Sequence, residues 1–294
     1  MKILALDIGG TYIKYALMTP EAEMISKGKV ETPYSGREAE IETIGRIFDE
    51  FPADEIAVAM PGIIDSSRGY CSLGGALRYN EGFYIGDAIS TRCGGVRVTV
   101  DNDAKCAALA EAARGALSDV KDGFVITLGS MVGGGFIKDR KLHRGAHFSA
   151  GETSYIATDR AGKPDYGGVF GNRCSVRTLC SNYAARKGLE SASGEEVFVA
   201  VEAGDADAIE VLDDYAYEIA VQIFNIQTVL DPERFAIGGG ISARAELMEY
   251  LRKNLDELYA ASPFFVPKAE LVRCRFGNDA NLIGAVECFK MLVP

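Results

Sequence analysis

Three things are missing from this sequence, and each removes a class of function. No run of apolar residues reaches the roughly 18 that a membrane-spanning helix needs, so no membrane partner is expected. The seven cysteines are an odd, scattered set without a C-x-x-C pair. Neither a disulfide framework nor a cysteine-rich zinc site is written in them, and reduced, mostly buried thiols are expected. Excess positive charge is missing too. The formal net charge is −11 and the pI about 4.9, which argues against nucleic acid as a partner, because duplex binding rests on clustered Lys and Arg neutralising phosphates. The first residues also lack a signal-peptide pattern: Lys2 leads directly into a strand ending at Asp7, and the expected location is cytoplasmic.

At 294 residues the chain is about twice a typical domain, so two lobes are expected. Apolar residues make up 48% and charged ones 25%, which suits a soluble globular protein acting on small molecules. Hydrophobic periodicity predicts strands at 2–7, 12–18 and 24–31, a helix at 37–50, strands at 55–60 and 96–101, and an Ala-rich helix from 102 to about 115. A second pass predicts strands at 123–129 and 133–138, a polar loop-rich stretch to about 173, and helices at 175–187, 194–203 and 206–230. It closes with a strand at 234–238, a helix at 242–259, a strand at 269–274 and a helix at 278–291. The two halves echo each other in element order, which suggests duplicated α/β lobes facing across a cleft, with the break at 114–122.

Four stations carry chemistry. In Asp7-Ile-Gly-Gly-Thr11, a carboxylate ends an apolar run and a glycine turn follows. Asp7 can hold hydrated Mg²⁺, Gly9 and Gly10 let phosphate oxygens approach backbone N–H groups, Thr11 adds a hydroxyl and Lys14 a positive charge. An ordinary hairpin with a Gly-Gly turn is the bland alternative. In Asp101-Asn-Asp103 a strand runs straight into a helix. One of the three residues is expected to cap that helix, leaving Asp103 as a candidate base and Asn102 as a neighbour that positions a hydroxyl. The glycine-rich stretch 129–135 supplies Gly129, Ser130, Gly133 and Gly134 as a second candidate phosphate turn. Finally, Gly238-Gly-Gly240 follows an apolar strand and precedes Ser242, a candidate helix cap; Gly239 and Gly240 would let a flat base lie against backbone.

Assembled in this order, the stations resemble the ROK sugar kinases (repressor, open reading frame, kinase) of the actin-like ATPase superfamily, nearly from end to end. Asp7 to Thr11 is similar to the family's first phosphate motif, and Met60-Pro-Gly62 with Asp65 to its P-G-x-x-D segment. Asn102-Asp103 is similar to its catalytic N-D and residues 129–135 to its second phosphate motif. Ala150-Gly-Glu152 is similar to its sugar-binding A-G-E, and Asp231-Pro with residues 237–242 to its adenosine segment. The resemblance implies a two-lobed actin-like ATPase (ribonuclease H-like) α/β fold. The lobes would be 1–116, joined by a returning C-terminal helix at 279–294, and a nucleotide-binding lobe at 117–278. It also implies ATP and Mg²⁺ as cofactors, transfer to the 6-hydroxyl of a hexose or β-glucoside such as cellobiose, and a possible homodimer. Asn102 and Glu152 would orient the sugar. N-acetylmannosamine kinase and glucokinase are the alternative activities, and a catalytically silent sugar sensor the alternative of another class. The family's repressors carry a DNA-binding helix-turn-helix before the first motif; here that motif begins at the first methionine.

Three departures from the family pattern bear on the acceptor. Met131 replaces a glycine of the second phosphate motif. The four positions of the family's structural zinc site hold Tyr155, Gly168, Phe170 and Ser175, so no zinc is expected, and Arg177 stands where a sugar-binding glutamate is usual. Gly74-Gly-Ala-Leu77 replaces the family's A-P-N-L, so a small residue, Ala76, takes the place of a hydroxyl-binding Asn beside Gly75. Tyr79 or Asn80 could supply that contact instead. Together these changes point to a pocket opened at the anomeric end of the sugar, with Tyr155 available to stack on a second ring; a loop that packs without metal is the plainer explanation.

Overall fold

β1 (Ile3–Ile8) is buried along its whole length, as a central strand covered on both faces must be, and a mixed sheet grows outward from it. The structure is a computed structural model that describes residues 1–158 and 166–293. Residues 159–165, part of the loop-rich stretch expected before 173, lie outside the described residues. β2 (Tyr12–Met18) folds back antiparallel on β1, and β3 (Met24–Glu31) antiparallel on β2. Along β3 half-buried and exposed residues alternate, the pattern of an edge strand with one wet face. After α1 (Arg37–Glu50), β4 (Glu55–Met60) joins β1 in parallel. A small antiparallel sheet of β5 (Ile63–Asp65), β6 (Tyr70–Leu73) and β7 (Phe83–Tyr84) follows, then α2 (Ile85–Arg92). β8 (Arg97–Asn102) pairs in parallel with β4 and runs directly into α3 (Asp103–Arg114). The register sets Asp7 beside Ala59 and Ala59 beside Asp101. Two carboxylates thus share one row at the C-terminal end of the parallel strands, the edge at which open α/β sheets bind ligands.

The second sheet repeats this plan. β9 (Gly123–Leu128) and β10 (Val132–Lys138) form an antiparallel hairpin, followed by β11 (Lys141–His143). Next come α4 (Phe170–Arg173), α5 (Val176–Lys187), α6 (Gly194–Glu202) and α7 (Ala206–Leu230). β12 (Arg234–Gly238) lies parallel to β9, and β13 (Glu270–Arg273), after α8 (Ala245–Ala261), lies parallel to β12. The strand orders are β3-β2-β1-β4-β8 and β11-β10-β9-β12-β13. The chain ends in α9 (Ala280–Leu292).

Two compact units result: Met1–Gly115, Leu142–Ala150 and Asp279–Pro294 form the first, Ala116–Lys141 and Gly151–Asn278 the second. Each has its own apolar core, with Leu6, Ile8, Ile44, Val58 and Val100 in the first and Phe124, Phe170, Leu212, Ile223 and Phe235 in the second. The sequence boundaries assign Leu142–Ala150 to the second lobe, yet it belongs to the first unit. An ion pair from Arg144 to the buried Asp101 holds it there. In the first unit α9 closes on α3 at Gly284, where any Cβ would overlap the Cys106 carbonyl oxygen, so only glycine permits this approach.

The small sheet and α2 are not anticipated by the sequence. Strands of three, four and two residues are too short for an alternating pattern to register. α2 contains Gly86 and β-branched residues, which are weak helix formers, and it is held by fully buried Ile85 and Ile89. α8 begins at Ala245 and not at 242, because a 3-10 turn over Gly240–Ala243 precedes it. Ser242 does not cap it: the Ser242 hydroxyl donates to the Gly239 carbonyl at 2.8 Å, inside that turn. Among the described residues no helix is long and apolar enough to cross a membrane.

A buried carboxylate ties α1 to the loop after β6. Glu40 is fully buried and accepts hydrogen bonds from the Tyr79 hydroxyl at 2.7 Å and the Asn80 amide at 2.8 Å. Tyr79 and Asn80 are therefore turned onto Glu40, not available as the replacement sugar contacts that the sequence allowed. Desolvation raises the Glu40 carboxyl above its ordinary 4.5, outweighing those two hydrogen bonds and the nearby Arg37. A group whose folded-state pKa is raised contributes stability below its unfolded value and loses it as pH climbs through the folded value. The parent should therefore lose stability relative to Glu40→Gln as pH rises above the ordinary carboxylate range. Thermal midpoints of both proteins across that range check this; parallel pH curves would show that the buried charge carries no such cost.

Candidate active site

In the first unit five expected residues, Asp7, Gly9, Gly10, Thr11 and Lys14, lie on the β1–β2 hairpin. Asp7, only 5% exposed, accepts a hydrogen bond from Asn281 Nδ2 at 3.0 Å on Oδ1 and from Lys14 Nζ at 3.2 Å on Oδ2. Lys14 is thus engaged by Asp7 directly across the β1–β2 ladder. The Gly9 amide donates to the Tyr12 carbonyl, closing the turn. Outward-facing carbonyls are then taken by two residues the sequence reading missed: Thr32 Oγ1 donates to Gly9 at 2.6 Å and the Tyr34 hydroxyl to Gly10 at 2.5 Å. Thr11 is exposed at the turn. Nothing local in the sequence marks Asn281, since its partner lies 274 positions away.

Asn102 is the residue that caps α3. Its Oδ1 accepts from the Lys105 amide at 3.0 Å while its Nδ2 donates to the Gly62 carbonyl at 2.9 Å, so it fastens the helix to the Pro61-Gly62 turn. Asp103 is the first helical residue, half-buried, with Oδ1 accepting from the Ala104 amide at 2.8 Å. Gly75 and Ala76 are exposed in the loop after β6. The Ala76 Cβ would lie 3.7 Å from a Cβ on Gly10, which sets that loop against the first glycine turn. All these residues belong to one unit.

The second unit carries the remaining candidates. The turn between β9 and β10 is only three residues: the Gly129 amide donates to the Met131 carbonyl, Ser130 is exposed at the tip, and the Gly129 carbonyl accepts from the Val176 amide at 2.9 Å. Gly133 and Gly134 lie instead within β10, paired with Thr127 and Ile126. Gly134 is buried where a Cβ would lie 2.5 Å from the Gly151 carbonyl oxygen, so its missing side chain serves packing. Gly239 has φ +92°, and a Cβ on it would overlap the Leu128 carbonyl oxygen, whereas Gly240 faces open space. The Val176 end of α5 and the loop after it bound a cavity of about 480 Å³, lined by Val176, Arg177, Cys180, Ser181, Leu189 and Ser191 among others. This cavity adjoins the glycine turns, because the Gly129 carbonyl holds Val176 and a Cβ on Gly194 would lie 3.7 Å from Ile241.

Glu152 is half-buried and precedes the 3-10 turn Thr153–Tyr155, and Tyr155 is 46% exposed. Phe170 is fully buried and Ser175 caps α5 by accepting from the Thr178 amide at 3.1 Å, so two of the four positions matched to the family's zinc site serve packing and capping. Among the described residues no group of three or more His, Cys, Asp or Glu could hold a metal ion. The seven cysteines are free thiols, five of them buried.

The ROK family model matches residues 3–291. A β-glucoside kinase from Klebsiella pneumoniae is 32% identical over 296 residues, covering 99% of this chain and 97% of its own length. A ROK family protein of Streptococcus pneumoniae TIGR4 in complex with sucrose superimposes with a TM-score of 0.87 at 25% identity, covering 99% of this chain and 98% of its own. A ROK family glucokinase from Streptomyces griseus in complex with glucose and AMPPNP gives 0.86 at 25% identity, with 98% of each chain covered.

The two glycines after β12 separate a folding role from a surface role. Gly239→Ala forces an alanine into a left-handed, sterically closed position and should lower stability by about 1–3 kcal/mol. Gly240→Ala, with no atom within 4 Å of the new methyl, should keep the parental thermal midpoint and weaken nucleotide binding. Melting curves and ATP titration calorimetry measure both. Parental ATP affinity in Gly240→Ala would remove that glycine from the nucleotide surface.

Proposed function

The chain belongs to the ROK family, and we propose that it is an ATP-dependent sugar kinase whose acceptor is the 6-hydroxyl of a hexose carried in a β-glucoside such as cellobiose. The observation that carries this reading is the half-buried carboxylate of Asp103, delivered by a strand end and oriented by the Asn102 cap that also grips the Pro61-Gly62 turn. Asp103 accepts the proton of the attacking hydroxyl as the hydroxyl oxygen bonds to the γ-phosphorus, the bond from that phosphorus to the β–γ bridging oxygen breaks, and ADP leaves with its electron pair. Asn102 retains one further N–H and one further lone pair with which to hold the sugar, and Glu152 is its second polar anchor. The turns at Gly9-Gly10 and Gly129-Ser130 receive phosphate oxygens on backbone N–H groups other than those of Gly9 and Gly129, which close the turns themselves. Gly239-Gly240 and the cavity beside α5 receive the adenosine, a flat apolar ring with a few polar edges suited to such a pocket.

Asp7 fits Mg²⁺ held through water. Its two oxygens already accept from Asn281 and Lys14, yet each keeps a lone pair for a water of a hydrated ion, and Mg²⁺ commonly retains several waters. When bound there, the ion offsets the negative charge of the transferring phosphoryl group.

Asp103→Asn should lower kcat by on the order of 10²–10⁴ with sugar affinity nearly intact, because the amide keeps the shape but cannot take the proton. Steady-state kinetics with sugar titration check it. A turnover within about threefold of the parent is too small a loss for a removed base and would take Asp103 out of that role.

Support for the acceptor comes from the exposed Ala76 and Gly75, the half-exposed Tyr155, the β-glucoside kinase relative and the sucrose-bound structure. A pocket that lacks side chains for free hydroxyls loses much of its discrimination for a monosaccharide, and an aromatic ring favours a second sugar. We therefore expect kcat/KM to be higher for cellobiose than for glucose or N-acetylmannosamine, in protein that contains no stoichiometric zinc by elemental analysis. A clear preference for either monosaccharide, or zinc at one equivalent, overturns the open, metal-free pocket.

A further inference from the structure

The buried Asp101 carboxylate has no part in the transfer just described, yet it sits two residues before Asp103 and is completely shielded from solvent. A carboxylate in that position persists only when its charge is paired and its lone pairs are filled. Arg144 does the pairing, with its guanidinium nitrogen 2.6 Å from Asp101 Oδ2. The Cys288 thiol of α9 donates to the same oxygen at 3.4 Å, and Asp101 Oδ1 accepts from the Asn102 backbone amide at 2.8 Å. That last bond matters most. Through it Arg144 reaches the residue that caps α3 and binds the Gly62 carbonyl, and Asp103 leaves the strand immediately after. Arg144 itself lies in the Leu142–Ala150 segment of the same unit, where its own carbonyl accepts from the Ala150 amide at 3.1 Å and closes the loop.

We propose that Arg144 is a positioning residue for Asp103: its ion pair with Asp101 fixes the strand end that orients the Asn102 cap and aims the neighbouring carboxylate at the acceptor hydroxyl. The inference rests on the reading of Asp103 as the proton acceptor. Its physical content is a chain of polar contacts, Arg144 to Asp101 to the Asn102 amide to the α3 cap, in which the first link supplies the charge that compensates a buried anion. Without Arg144 the anion is left buried without its charge partner, and the strand end shifts to relieve it. Removing both charges at once should leave no such imbalance, since the amide introduced by Asp101→Asn would still present a carbonyl oxygen to the Asn102 backbone N–H.

Four variants of the full chain test this by kcat, sugar KM and thermal midpoint: Arg144→Met, Arg144→Lys, the double variant Asp101→Asn with Arg144→Met, and Asp103→Asn. The expected result is a kcat loss of about tenfold or more in Arg144→Met with sugar KM changed by less than about threefold, the signature of lost transition-state alignment and not of lost binding. Arg144→Lys and the charge-neutral double variant should both recover kcat to within about threefold of the parent, the rescue expected of two residues in direct contact. Parental kcat in Arg144→Met overturns the proposal, as does a double variant that folds with the parental midpoint but stays as slow as Arg144→Met. If Arg144→Met alone does not fold, the lysine and double variants decide it: either one folded and more than about tenfold slow overturns the proposal. Asp103→Asn separates the two levels, because near-parental turnover there defeats the reading of the base, whereas an inactive Asp103→Asn beside a fully active Arg144→Met defeats only the role of Arg144.

Discussion

The parallel ladder of β1, β4 and β8 is the constraint on which the rest of the first unit depends. Side chains alternate faces along a strand, so slipping β1 or β8 by one residue would turn its carboxylate to the opposite face. In the observed register Asp7, Ala59 and Asp101 form one row, and the alanine between two acids keeps them a strand apart. Both acids are nearly or wholly buried. Burying an ion costs several kcal/mol unless partners restore what water gave it, so the row demands cations and donors. The sheet itself supplies only Lys14, from β2, and the others come from distant parts of the chain: Asn281 and Cys288 from α9, and Arg144 from the Leu142–Ala150 segment. The acids therefore explain why these two remote segments belong to the first unit.

Much of this was legible in the sequence because the long elements are strongly periodic and the strand-to-glycine junctions stand out. The central strands, the helices from α5 to α7 and the family resemblance all rest on such local patterns. What was not legible is of two kinds. Short elements such as β5 to β7 exist only through their partners, so no window of sequence contains the information that forms them. Long-range polar pairs leave no local trace either, which is why Asn281, Thr32, Tyr34 and Arg144 went unread.

Glycine-rich stretches show a third limit, since one residue type answers several different needs. The run 129–135 reads as a single phosphate loop, but of its glycines only Gly129 belongs to the turn, and Gly134 lies in the ladder to let the Gly151 carbonyl approach. Gly239 is required by its own backbone angle, while its neighbour Gly240 has space for a side chain. A serine is equally ambiguous. Ser242 looks like a helix cap, yet it closes a 3-10 turn one step earlier, and the helix starts without a side-chain cap at Arg244.

The two sheets share one strand plan, and their ends differ less in glycine than in acid. A glycine turn follows the first strand of each sheet, Gly9-Gly10 after β1 and Gly129 after β9, whereas carboxylates stand only at the C-terminal ends of the first unit's parallel strands, at Asp7, Asp101 and Asp103. In the proposed transfer these acids have different tasks: Asp103 takes the proton of a neutral sugar hydroxyl, Asp7 faces the phosphates through a hydrated cation, and Asp101 is spent on Arg144. A polyphosphate would be repelled by a bare carboxylate and is better met by backbone N–H groups that add partial positive charge without a side chain in the way. One βββαβα plan used twice thus provides two similar glycine turns for the phosphates, and the proposed base is what distinguishes the first unit from the second.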